Sequence, residues 1–289
     1  MFRETGRSLR PILSLAFLSV LAAAGSALTI NTTFVASGQS FGSGLGNATG
    51  APTSNTTGSG NLQTIFRAAA DCWESVILDN HTVNLTFGWQ ALSGGTLGVH
   101  VLTGQGGNPN RETSGVIRFD SDASAPFFLD ATPHMHEEYG DLNTLSQNLG
   151  GGAINVARIM FSEHADADNS FDLFSTALHE IGHSLGLSGA NSSFIAENGD
   201  LDIDVTAPRP FAGSAIPTIS GAHLDLDFAL MFPGAFVGER LLMSEADIVA
   251  NAQISGFSNL DLDGCLVPEP ASMAALGMGI AVLIRRRRK

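Results

Sequence analysis

An α+β fold is what this 289-residue sequence predicts, and three observations carry it. Two segments, 61–79 and 172–186, repeat apolar residues at helical spacing. Four runs between them alternate or cluster apolar residues at strand length. Residues 187–222 are rich in Asn, Pro, Ser and Asp, the composition of a long loop between regular elements.

Taken in order, residues 1–27 read as a signal peptide. Arg3, Arg7 and Arg10 precede the apolar run 11–25, and Gly25, Ser26 and Ala27 suit a cleavage site. The alternative is a membrane anchor, for which that run is short of the usual span of about 20 residues. Residues 28–60 then read as a flexible lead-in, Gly/Ser/Thr/Asn-rich from 37 onward. Structure is expected to begin with the helix 61–79, whose Leu62, Ile65, Phe66, Ala69, Trp73, Val76 and Ile77 form one apolar stripe. Strands follow at 82–89, 97–103, 115–120 and 154–162, the second holding His100 among apolar neighbours, as a structural histidine would be. PHMHEEYGD (133–141) gathers His134, His136, Glu137, Glu138 and the lone Tyr139, a polar loop or a second metal site. Asp172 and Gly186 suit the two ends of the second helix, and Ser244 with Asp247 marks a capping box for a last helix over 244–254.

Charge and cysteine usage narrow the function. Eight of the fourteen Lys and Arg lie in the two terminal segments, so residues 28–266 keep six arginines and no lysine. So acidic a body does not suit nucleic acid or anionic lipid, and favours solubility or divalent cations. Cys72 and Cys265 are free to pair in an oxidising compartment, or to remain as two thiols; no CxxC pair exists to hold zinc through sulfur.

The chemistry lies in LHEIGHSLGLSGA (178–190). Four residues separate His179 from His183, so on a helix both imidazoles leave one face and reach one ion. Glu180, beside the first of them, is placed to take a proton from a metal-ligated water, whose pKa zinc brings toward neutrality. The glycine three residues after His183 resembles the metzincin proteases, whose HExxHxxGxxH motif ends in a third histidine. Here Gly189 stands in that place and cannot ligate through a side chain. Downstream, SGAHLDLDFALMFPG (220–234) resembles the leishmanolysin-type metzincins. In these an inserted segment, here 187–222, precedes a displaced histidine and a methionine-bearing turn. The resemblance implies His179, His183 and His223 as zinc ligands, Glu180 as general base and Met231 as the floor of the site. Phe232 stands where some metzincins carry a tyrosine.

Glu197 is a rival third ligand. Calcium sites are open at DADNSFD (166–172) and, more weakly, among Asp200, Asp202 and Asp204. The fold the resemblance implies over residues 61–266 is metzincin-like: a twisted mixed sheet with two long helices, and a smaller C-terminal subdomain across a cleft. Strand 154–162 is then expected to be the edge on which an extended substrate lies.

At the C-terminus VPEP (267–270), an apolar segment (271–284) and RRRRK (285–289) resemble the PEP-CTERM sorting tails of Gram-negative bacteria. This implies a hydrophobic helix with the Arg cluster inside, handling by sorting and processing machinery, and delivery to the cell surface or extracellular matrix. The membrane is met only through the terminal segments. Together these readings point to an exported zinc metalloendopeptidase acting on proteins or peptides. The alternative is a surface or matrix binding protein on a degenerate protease fold.

Overall fold

The computed structural model describes residues 27–265. The chain runs β1 (Leu28–Phe34), β2 (Thr56–Gly58), α1 (Leu62–Val76), β3 (His81–Gln90), β4 (Gly98–Gly106), β5 (Arg111–Asp120), β6 (Phe127–Leu129), β7 (Asn143–Asn148) and β8 (Ala153–Phe161). It continues through α2 (Ala165–Asp168), β9 (Phe171–Asp172), α3 (Leu173–Leu185), α4 (Ser192–Glu197), β10 (Asp202–Asp204), β11 (Ala215–Ile219), β12 (His223–Leu224), β13 (Glu239–Leu242) and α5 (Glu245–Ser255).

The main sheet has the order β1-β3-β5-β4, parallel except for β4, which runs antiparallel on the outer edge. Three smaller sheets, β13-β8-β7, β2-β6-β9 and β10-β11-β12, complete the described residues. The helix α1 forms where its stripe predicts. Asn61 caps it by accepting from the Thr64 amide, and Ile65, Phe66 and Trp73 are fully buried. Each such side chain contributes about 1.5–3 kcal/mol of transfer free energy. The Trp73 indole donates to the Leu178 carbonyl at 2.9 Å, which ties α1 to α3.

Several expectations are corrected. Residues 28–34 are not a flexible lead-in. They form β1, in parallel register with β3, and Val35, Phe41 and Ala48 pack with Val116 in a small second core. The strand expected as a substrate-binding edge, β8, is the middle strand of its sheet, covered by β7 on one side and β13 on the other. In the main sheet β4 is an edge strand. The insertion 187–222 is folded, carrying α4, β10 and β11. Of the two states left open for Cys72 and Cys265, the folded chain has the disulfide, which fastens the end of the body to α1.

Among the described residues no helix is long and apolar enough to cross a membrane. The expected signal peptide, apart from Ala27, and the expected hydrophobic tail helix lie outside them.

Candidate metal centre

Helix α3 begins where Asp172 accepts from the Ser175 amide and is buried along most of its length. Its i, i+4 pair His179 and His183 faces β12, which brings in His223. The Nε2 atoms of His179 and His183 stand 3.1 Å apart, and those of His179 and His223 3.2 Å apart. The ligand atoms of the three all lie within 4.8 Å of one another.

The outward nitrogens explain this convergence. His179 Nδ1 faces the Leu230 carbonyl at 2.7 Å, His183 Nδ1 the Leu187 carbonyl at 2.5 Å, and His223 Nδ1 the Ser220 carbonyl at 3.3 Å. A carbonyl only accepts, so each Nδ1 carries the proton, leaving three Nε2 lone pairs aimed at one another. That arrangement repels itself unless a cation lies between them. Two nitrogens on a tetrahedral zinc at about 2.0–2.1 Å stand about 3.3 Å apart, close to the spacing here. The donor set therefore fits zinc. Burial and mutual proximity push the imidazoles toward the neutral, ligating form. His179 falls to about 4, first by burial and then by His223, with the Leu230 carbonyl opposing; His183 and His223 are lowered too, first by burial.

Glu180 leaves α3 on the side of β4. It is almost entirely buried, and its Oε2 has no hydrogen-bond partner. Burial raises its pKa to about 8, and the backbone N–H of His100 pulls the other way. The edge strand lies so close that a Cβ on Gly98 would come within 2.7 Å of Glu180 Oε1, so glycine is needed there. Between the two helical histidines Gly182 leaves the room that Met231 occupies; a Cβ would collide with the Met231 sulfur and crowd the Trp73 ring. Met231 is fully buried, and the turn holding it is fixed from α5, where the Asp247 carboxylate accepts from the Leu230 and Met231 amides at 3.1 and 2.9 Å. Asp247 is also the reciprocal partner in the Ser244 capping box. One carboxylate thus fixes a helix start and the carbonyl that orients His179. The capping box was legible in the sequence; its second task was not.

Other sequence candidates fall elsewhere. The Glu197 carboxylate accepts from the Asp204 amide, outside the histidine cluster. Gly189 lines the cleft with nothing near the place a side chain would fill. His100 is paired with Glu112 at 2.8 Å, both side chains buried, and sits on the cleft wall. The 133–141 cluster is no metal site: His136 Nδ1 takes a hydrogen bond from Arg240, whose guanidinium also lies over the Tyr139 ring at 4.3 Å. Asp172 in DADNSFD is committed to Arg240 as well, at 2.9 Å. Asp200, Asp202 and Asp204 do gather, on an exposed to half-exposed face.

All three histidines and Glu180 line a cleft of about 620 Å³, with β4 on one side and residues 230–236 on the other. A family model described as matrixin matches residues 53–196, and one described as the PEP-CTERM protein-sorting motif matches residues 266–289. Matrixins are zinc-dependent metalloproteases, and the PEP-CTERM motif indicates export and sorting. The matrixin match covers His179, Glu180 and His183 and stops short of His223. No curated protein and no solved structure matches the chain significantly.

Proposed function

We propose that this chain, which carries a matrixin domain and ends in a PEP-CTERM sorting motif, is an exported zinc endopeptidase with His179, His183 and His223 as its ligands. The observation that carries the reading is the convergence of three neutral, Nδ1-anchored imidazoles beside one buried carboxylate whose Oε2 has no partner. Zinc bound there would supply Lewis-acid activation of water and of the scissile carbonyl.

The protein's residues do the rest. Leu230, Leu187 and Ser220 hold the tautomers through their carbonyls. Glu180, buried beside the histidines, takes a proton from the attacking water at Oε2, which has no partner in the metal-free site, and returns it to the leaving nitrogen. A substrate backbone lies along the outer edge of β4, an edge strand on the cleft wall that offers main-chain pairing. Because Phe232 replaces the tyrosine of some metzincins, no phenol is at hand for the oxyanion. In the full chain, residues 1–27 direct export, 28–266 form the catalytic body and 267–289 the sorting tail.

The test is cleavage of casein or gelatin by the zinc-loaded body against Glu180→Ala. Loss of a proton-transfer group costs about 10²- to 10⁴-fold, so the variant should bind zinc one to one and turn over at least 100-fold slower. A wild type that binds zinc yet cleaves no substrate would instead favour the matrix-binding alternative.

A further inference from the structure

The cleft extends past the histidines in two directions. Toward the C-terminal end of α3 it is lined by Ser188, Gly189 and Gly221, small and uncharged. Toward the N-terminal end it is different. Phe171, Phe232, Phe236 and Leu241 supply apolar wall, and two carboxylates, Asp172 and Glu239, share the space.

Those carboxylates are not equivalent. Asp172 is fully committed, with Arg240 on both oxygens and Ser175 on one. Glu239 is half-buried; its Oε2 is shielded from solvent without a hydrogen-bond partner, and no cation is paired with it among the described residues. Burial alone raises its pKa, with no neighbouring charge contributing. A desolvated carboxylate of this kind lowers its free energy by meeting a cation.

Position makes that cation part of a substrate. The Leu241 amide donates to Ser175 Oγ at 2.9 Å, clasping β13 to the turn of α3 that precedes His179. Glu239, two residues before Leu241, shares its face of the strand. One helical turn, about 6 Å along the axis, separates Ser175 from His179, and Glu239 and His179 line the same cleft. A Lys or Arg side chain has an apolar stem for the aromatic wall and a charged head for the carboxylate. The body around the cleft, with six arginines and no lysine, attracts cationic peptides from a distance.

We infer that Glu239 is a specificity-determining residue, and that the arm it lines takes a Lys or Arg side chain from one of the two residues flanking the scissile bond. This rests on the endopeptidase reading above, and the experiment separates the two. A degenerate peptide library is digested with zinc-loaded wild type, Glu239→Gln and Glu239→Arg, and the products are sequenced by mass spectrometry. In parallel, the zinc-loaded Glu180→Ala protein, with and without Glu239→Gln, is titrated with two matched peptide pools that differ only in a fixed central Arg or norleucine.

The expected result is enrichment of Arg and Lys over norleucine of at least tenfold at one flanking position. Glu239→Gln should collapse that ratio, and Glu239→Arg should invert it toward acidic residues. The Arg pool should bind more tightly than the norleucine pool, with the difference lost in the double variant. Equal binding of both pools, or a flanking preference identical in wild type and Glu239→Gln, overturns the proposal. If wild type cleaves nothing while the pool difference depends on Glu239, the endopeptidase reading fails, and what stands is Glu239 as the binder of a cationic peptide side chain.

Discussion

The two ends of α3 are both dry and both rich in ionisable groups, yet they are built on opposite rules. At the N-terminal end the charges that hold the helix start, Asp172, Asp130 and Arg240, answer one another. Arg240, wholly buried, bonds Asp172 through Nε and Nη2, Asp130 at 2.7 Å and the Pro133 carbonyl, and stacks on Tyr139 and Phe174. Its charge holds the Asp172 pKa below the usual carboxylate range against the opposing effect of burial. Two to three turns further on, the histidines are neutral, their Nε2 atoms confront one another, and Glu180 Oε2 bonds nothing. Buried charge that is satisfied internally fixes the helix. Buried polarity left unsatisfied identifies where a ligand belongs.

Breaking the satisfied end should have the larger effect on stability. Arg240→Ala strands Asp130 and Asp172 without a counter-charge, and losing one partner of a buried pair costs about 3–5 kcal/mol. Urea unfolding of the metal-free protein should show that loss. A change under about 1 kcal/mol would mean that the network contributes no more than a surface ion pair.

At the unsatisfied end the opposite is expected, because the groups there work against the metal-free fold. The folded pKa of Glu180 is raised from 4.5 to about 8. The folded state therefore favours the protonated acid, and this contribution is fully present below pH about 4.5 and lost as pH rises through 8. Glu180→Gln mimics the protonated form at every pH. In chelated protein it should be more stable than wild type at pH 8, by roughly 1–4 kcal/mol, and equal to it near pH 4.5. Thermal melts at the two pH values check this. A variant no more stable than wild type at pH 8 would contradict the desolvation argument.

The same contrast explains what was legible in the sequence. Helix α3 announces itself through Asp172, its apolar face and the i, i+4 histidines, all local signals, and His223 through its place shortly before Met231. The Arg240 network joins residues 130, 133, 136, 172 and 240, so no window of sequence contains it. β1 is masked by its Thr- and Asn-rich face and by the Gly/Ser run that follows. β7, NTLSQN, is exposed throughout and offers no apolar period. Missing it, together with the distant β13, made the apolar β8 look like an edge. β4, an edge of the main sheet, has weak alternation because both its faces are half-buried, one of them against α3. Glu239 has no signature at all; what singles it out is the lack of a partner, a property only of the folded chain.

The central claim is that His223, forty residues beyond His183, completes the site that Gly189 leaves short. X-ray absorption at the zinc edge of the loaded wild type and His223→Ala tests it most directly. Three imidazole nitrogens plus oxygen are predicted for wild type, falling to two in the variant, with zinc affinity reduced at least tenfold. An unchanged nitrogen count and affinity in His223→Ala would contradict the claim and move the third ligand elsewhere.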